Sequence, residues 1–140
     1  MSAVARWFVL VSMAVFVAAV PPAAAGPLAC APDIVGPWTG QVLDEGEIKE
    51  LRSGFSLRAG ELTGTYHVED ASGGYDGTLT DFTASGPCAG RFLWHDRNGT
   101  GVVRVEFRPE RDRFDGVWGE DAPLDGHVFT GRRARPVPVS

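Results

Sequence analysis

Apolar and polar residues alternate in short bursts along the chain. The alternation is clearest where Leu62, Tyr66 and Val68 are interleaved with Thr63, Thr65 and His67. A period of two over four to eight residues predicts a strand with one buried face. Eight such strands are predicted. The first covers Val35 to Leu43 with Trp38 and Val42 inward, and the second Gly54 to Ala59 with Phe55 and Leu57 inward. The third is Leu62 to Val68, and the fourth is Tyr75 to Thr80 with Tyr75 and Leu79 inward. The fifth, Ala89 to His95, turns Phe92 and Trp94 inward. The sixth, Gly101 to Phe107, buries Val103, Val105 and Phe107 and exposes Arg104 and Glu106. Arg113 to Trp118 and Gly126 to Arg133 complete the set, the latter with Phe129 inward. Asn98-Gly99 is a two-residue hairpin signal. Asp44 to Ser53, bracketed by Gly46 and Gly54, is expected to be a loop with some helical character.

A second pattern lies on top of the first. Glycines precede bulky apolar residues by two positions: Gly64-x-Tyr66, Gly77-x-Leu79, Gly90-x-Phe92 and Gly116-x-Trp118. With Val105 included, the bulky positions Tyr66, Leu79, Phe92, Val105 and Trp118 recur every thirteen residues. Thirteen residues hold one short strand and one turn, so the ladder predicts a β-meander. Residues i and i+2 share a face, so each glycine lies on the buried face of a coiled sheet and makes room for a neighbouring ring. Even spacing and short connections favour an all-β fold, a single eight-stranded antiparallel up-and-down barrel without free edges. A β-sandwich is the runner-up, and only Thr80 to Cys88 is long enough for its crossover.

The N-terminal stretch changes the expected setting. Arg6 precedes an apolar run from Trp7 to Val20, Pro21-Pro22 ends it, and Ala23-Ala24-Ala25 offers a cleavage site. This predicts a signal peptide over 1–25 and an exported product, periplasmic or extracellular, with no transmembrane anchor after cleavage. The remainder divides into a strap over 26–34, a barrel domain over 35–133 and a disordered tail over 134–140. Removing Arg6 takes the formal charge from −5 to −6, a poor balance for nucleic-acid binding. Lys49 is the only lysine among many arginines, and alanine and glycine are abundant, a usage that points to a GC-rich bacterial genome. Cys30 and Cys88 are the only cysteines, and an even pair in an exported chain is expected to form one disulfide. The competing reading makes Cys30 a lipidated N-terminus. Pro27-Leu28-Ala29-Cys30 sets Leu one place too close to the cysteine for that, and Cys88 would be left unpaired.

Gly36-Pro37-Trp38 opens the first strand and Gly131-Arg132-Arg133 ends the last. Antiparallel closure would set Arg133 beside Trp38. This resembles the calycin superfamily (lipocalins, fatty-acid-binding proteins and avidins), in which a first-strand Gly-x-Trp packs under a basic side chain from the far end of the barrel. Leu62-Thr63-Gly64-Thr65-Tyr66 is similar to the avidin third strand. The avidin ligand contacts do not carry over: Gly40 and Val68 stand where polar residues are expected, and Tyr66 alone matches. The resemblance therefore implies the barrel shape and not biotin binding.

Candidate chemistry is sparse. Loops after odd strands share one barrel end and carry Asp44, Glu45, Glu47, Glu50, Glu69, Asp70, Asp96, Glu120, Asp121 and Asp125. The other end holds Arg58, Arg108, Arg111, Arg113, Arg132, Arg133 and Arg135, diluted by Asp81, Glu110 and Asp112. An acidic mouth would attract a cation, Ca²⁺ or a basic partner; solvated loops are charged for no further reason. His67 and His95 face solvent by parity and His127 alone faces the mouth, so no metal ligand set is expected. Asp76 and Asp115 face outward, so no inward carboxylate pair is expected for acid–base work. There is no Gly-x-Ser-x-Gly, and Asn98-Gly99-Thr100 reads as a hairpin and not a glycosylation site. The chain is accordingly read as a non-enzymatic binding module for a small apolar ligand, with no cofactor. Its candidate ligand-binding residues are Trp38, Tyr66, Tyr75, Phe92, Trp94, Trp118 and Phe129. The alternative is an envelope or secreted interaction protein with a filled barrel core.

Overall fold

The computed structural model describes residues 29–120 and 126–134. The expected signal peptide, Asp121, Asp125 and 135–140 of the expected tail lie outside the described residues. A four-residue helix α1 (Ala31–Ile34) leads into eight strands: β1 (Gly36–Asp44), β2 (Glu47–Arg58), β3 (Glu61–Val68), β4 (Tyr75–Gly86), β5 (Ala89–Asp96), β6 (Gly99–Arg108), β7 (Arg113–Gly119) and β8 (His127–Arg133). Each pairs antiparallel with the next, and β1 pairs with β8, so the sheet is a closed up-and-down barrel. The sandwich alternative is set aside. Among the described residues no helix is long and apolar enough to cross a membrane.

Two elements differ from the expected ones. Asp44 to Ser53 is not a loop. Glu45 and Gly46 form a two-residue turn with φ of 51° and 76°, and β2 starts at Glu47 with Leu51 and Ser53 buried. Positive φ at both turn residues matches the right-handed twist of the flanking strands, which is why so short a turn suffices. Likewise, Thr80 to Cys88 is no crossover, because β4 continues through it. Its register slips between Thr80 and Thr83, next to Asp81 in the left-handed region at φ 54°. Such a bulge reverses the facing of the residues beyond it, and Phe82 packs on Phe92 with centroids 4.7 Å apart. Leu57, expected inward, is exposed at the end of β2. In the β5–β6 hairpin the turn residues are Arg97 and Asn98, and the positive φ falls on Gly99.

The end where odd strands begin is filled. Trp38, Phe92, Phe107 and Phe114 are fully buried there. Trp38 meets Phe114 edge-on at 5.5 Å, and Phe55 meets Phe107 and Phe114 edge-on at 5.2 and 5.7 Å. Helix α1 closes this end with Ile34 wholly buried, and the Trp38 indole donates to the Ile34 carbonyl at 2.8 Å. Arg133 stands opposite Trp38 in the β1–β8 register. Its guanidinium lies 4.4 Å from the indole centroid and also donates to the carbonyls of Val35 and Asp33. Cys30 and Cys88 form the disulfide, with Cα atoms 5.6 Å apart. Ala134, the first residue of the expected tail, still donates its amide to Pro37.

Candidate ligand-binding cavity

The opposite end, where β1, β3, β5 and β7 finish, is hollow. A cavity of about 280 Å³ opens there, at the small end of the range for small-molecule pockets. Its apolar walls are Val42, Val68, Val103, Tyr66, Tyr75, Trp94, Trp118 and Phe129. Phe129 forms the boundary with the filled half, packing on Phe114 at 5.9 Å on one side and on Tyr66 at 5.9 Å on the other. Five of the seven expected ligand-binding residues, Tyr66, Tyr75, Trp94, Trp118 and Phe129, come together here. Trp38 and Phe92 do not: each belongs to the packed half, Trp38 against Phe107 and Phe114, Phe92 against Phe55 and Phe82.

Two missing side chains shape the wall. A Cβ at Gly77 would overlap the Tyr66 ring, and one at Gly101 would meet the Trp94 indole and the Gly119 carbonyl. The rings therefore lie flat over neighbouring backbone instead of filling the lumen. The Trp94 indole donates to Gly119 at 3.2 Å and the Trp118 indole to Leu43 at 2.9 Å. Trp94 and Trp118 meet edge-on at 5.5 Å, and His127 stacks on Trp118 at 4.8 Å.

The polar part of the cavity was missed by the sequence reading. Asp44 and Asp96, expected in solvated loops, are the last residues of β1 and β5 and turn inward. Asp44 is 6% exposed and accepts from the Tyr75 hydroxyl at 2.8 Å and from Lys49 at 2.9 Å. Asp96 accepts from the Tyr66 hydroxyl at 2.6 Å. The expectation of no inward carboxylate pair is therefore corrected: Asp44 and Asp96 both line the cavity. The signal was available: Asp44 has the parity of Val42, and Asp96 that of Trp94. Glu45 and Glu120 extend the acidic lining to the rim.

Two further carboxylates of this end are compensated by arginines. Glu69 pairs with Arg52 at 2.6 Å, and Asp70 pairs with Arg97 at 3.0 Å. Asp70 also accepts from the Ser72 hydroxyl and from the amides of Gly74 and Ser72, and these bonds hold its carboxyl well below the usual range. Among the described residues no group of three or more His, Cys, Asp or Glu is placed to hold a metal ion. His67 lies on the outer face between Asp76 at 2.7 Å and Glu69 at 3.4 Å, and His95 sits beside Thr80.

Burial pushes the Tyr66 and Tyr75 phenols well above their ordinary value. The hydrogen bonds to Asp96 and Asp44 push the same way, because a phenolate beside a carboxylate is doubly unfavourable. These are the only two tyrosines of the chain, so a bulk titration reads them alone. The native protein is expected to develop no phenolate absorbance near pH 10, and the denatured chain to develop it there. Above pH 10 the unfolded state binds fewer protons than the folded state, so stability falls as pH rises through that range. A native phenolate transition near pH 10 would contradict the buried Tyr–Asp pairs.

Comparison with family models, with curated proteins and with solved structures returns no match for this chain.

Proposed function

We propose that the chain is an exported, non-enzymatic binding module for a small, largely apolar ligand held in the open half of the barrel. The observation that carries this reading is the aromatic-walled cavity at the mouth. A chain selected only for a packed core would fill it, as the other half is filled. A void of this size instead forfeits dispersion contacts along its whole wall. Export is supported by the Cys30–Cys88 disulfide, since such bonds persist in oxidising compartments. A relation to the calycin barrels is supported by Gly36-x-Trp38 under Arg133.

The test is native mass spectrometry of the full chain purified from its own host under non-denaturing conditions. The expected result is a retained small molecule that is lost on denaturation. It should also be lost when Trp118 is replaced by Ala, which opens the cavity wall at a half-buried position. An unliganded mass, with no gain in melting temperature from any of a panel of small aromatic compounds, neutral or charged, would overturn the proposal.

A further inference from the structure

We infer that the cavity is built for an organic ammonium: a protonated amine carried on a small apolar body. The inference rests on the binding-module reading above and names the chemistry of its ligand. Four carboxylate residues, Asp44, Glu45, Asp96 and Glu120, line the cavity, and no lysine, arginine or histidine among the described residues does. Lys49 and Arg97 flank the site, and Arg97 is already shared with Asp70. Lys49 pairs with Asp44 and, at 3.7 Å, with Glu45, so the four lining carboxylates outnumber the one cation paired with them. Asp44 and Asp96 hold their charge between the apolar walls, where it acts more strongly than in water, and Glu45 and Glu120 hold theirs at the exposed rim.

Asp44 sharpens the case. It is nearly buried, a costly state for a carboxylate. Both of its hydrogen bonds, from Tyr75 and Lys49, fall on Oδ2. Among the described residues no hydrogen-bond donor reaches Oδ1. Oδ1, without a donor among the described residues, belongs to a side chain that lines the cavity, where it can accept from an N–H donor. The aromatic rings add the second half of the recognition. The faces of tyrosine and tryptophan attract cations, and the protein already uses Tyr75 this way: the Arg97 guanidinium lies 4.4 Å from its ring centroid. Tyr66 and Tyr75 have their hydroxyl protons committed to Asp96 and Asp44. They offer a ligand carboxylate no donor, which disfavours anions as well as favouring cations.

Three probes of similar size separate the outcomes: 2-phenylethylamine, which is cationic at pH 7, neutral 2-phenylethanol, and anionic 3-phenylpropionate. Binding to the full-length exported chain is measured by calorimetry at fixed ionic strength. The same is done for Asp96→Asn, Glu120→Gln and Asp44→Asn, each checked for an unchanged fold by its tryptophan spectrum. The amine should bind at least about tenfold more tightly than the alcohol, as a charge-assisted bond allows, and the acid should not bind. Asp96→Asn and Glu120→Gln should each narrow that preference, which keeps the test intact if Asp44→Asn fails to fold. Equal binding of amine and alcohol, unchanged in the variants, overturns the ammonium inference and leaves the apolar-ligand proposal standing. Preference for the acid also overturns it. No binding of any probe at millimolar concentration overturns both.

Discussion

Trp38→Ala should cost about 3–5 kcal/mol, the range for removing a fully buried large aromatic side chain. For a domain of this size that is a fall in Tm on the order of 10–25 °C. The indole is the point where four parts of the closed end meet. It receives the Phe114 edge and lies near Phe107. It hydrogen-bonds the carbonyl that ends α1, and it carries the Arg133 guanidinium on its face. Removing it leaves a cavity lined by rigid rings, which relax poorly, and leaves the Ile34 carbonyl and the guanidinium without their partner. Arg133→Ala should cost less, about 1–2 kcal/mol, because it deletes a cation–π contact and exposed hydrogen bonds to the Val35 and Asp33 carbonyls from a partly exposed position, and no core volume. Urea unfolding of both variants checks the order. A Trp38→Ala loss below that of Arg133→Ala would mean that the closed end is not organised around the indole.

The pairing of Trp38 with Arg133 could be read from sequence because two constraints converge on it. Residue parity fixes which face each side chain takes, and an up-and-down order leaves β1 only β2 and β8 as neighbours. The same logic located the disulfide, since β1 and β5 begin at one end. The features that escaped the sequence depend on local backbone choices that leave no periodic trace. Glu47 to Arg52 is heavily charged and Ile48 is exposed, so the strand was hidden until the Glu45-Gly46 turn fixed its phase. The bulge at Asp81 reverses parity mid-strand, and only then does Phe82 reach the core. The candidate site was half legible. Its aromatic wall is a consequence of alternation, but the division of the barrel into a filled and a hollow half is not. That division follows height along the strands: Trp38 and Phe92 lie in the first half of β1 and β5, and Tyr66 and Trp94 near the ends of β3 and β5. Asp44 and Asp96 were misplaced because a carboxylate at a strand end is ordinarily solvated. Here each has a tyrosine hydroxyl facing it across the lumen, which offsets the cost of turning inward.

Replacing both cysteines with Ser should cost about 4 kcal/mol. The bridge spans 58 residues, and the chain-entropy model assigns about that much to constraining an unfolded loop of this length. The stabilisation acts on the unfolded ensemble, so the barrel should survive: β1 to β8 remain hydrogen-bonded around the full circle without it. The local consequence is at the closed end. Cys30 immediately precedes α1, and the bridge ties that turn to Cys88, whose carbonyl accepts from the Phe107 amide. Cutting it should loosen α1 first, exposing Ile34 and freeing the amides near residue 33 to exchange, while the mouth cavity keeps its geometry. The measurement pairs urea unfolding with hydrogen exchange on the oxidised chain and on the double Ser variant. The expected result is a large drop in midpoint, protection lost around α1, and protection kept around Tyr66 and Trp94. Thiol labelling without reductant gives an independent check on protein recovered from an oxidising compartment. Alkylation of both cysteines there would falsify the bridge and, with it, the main physical support for export.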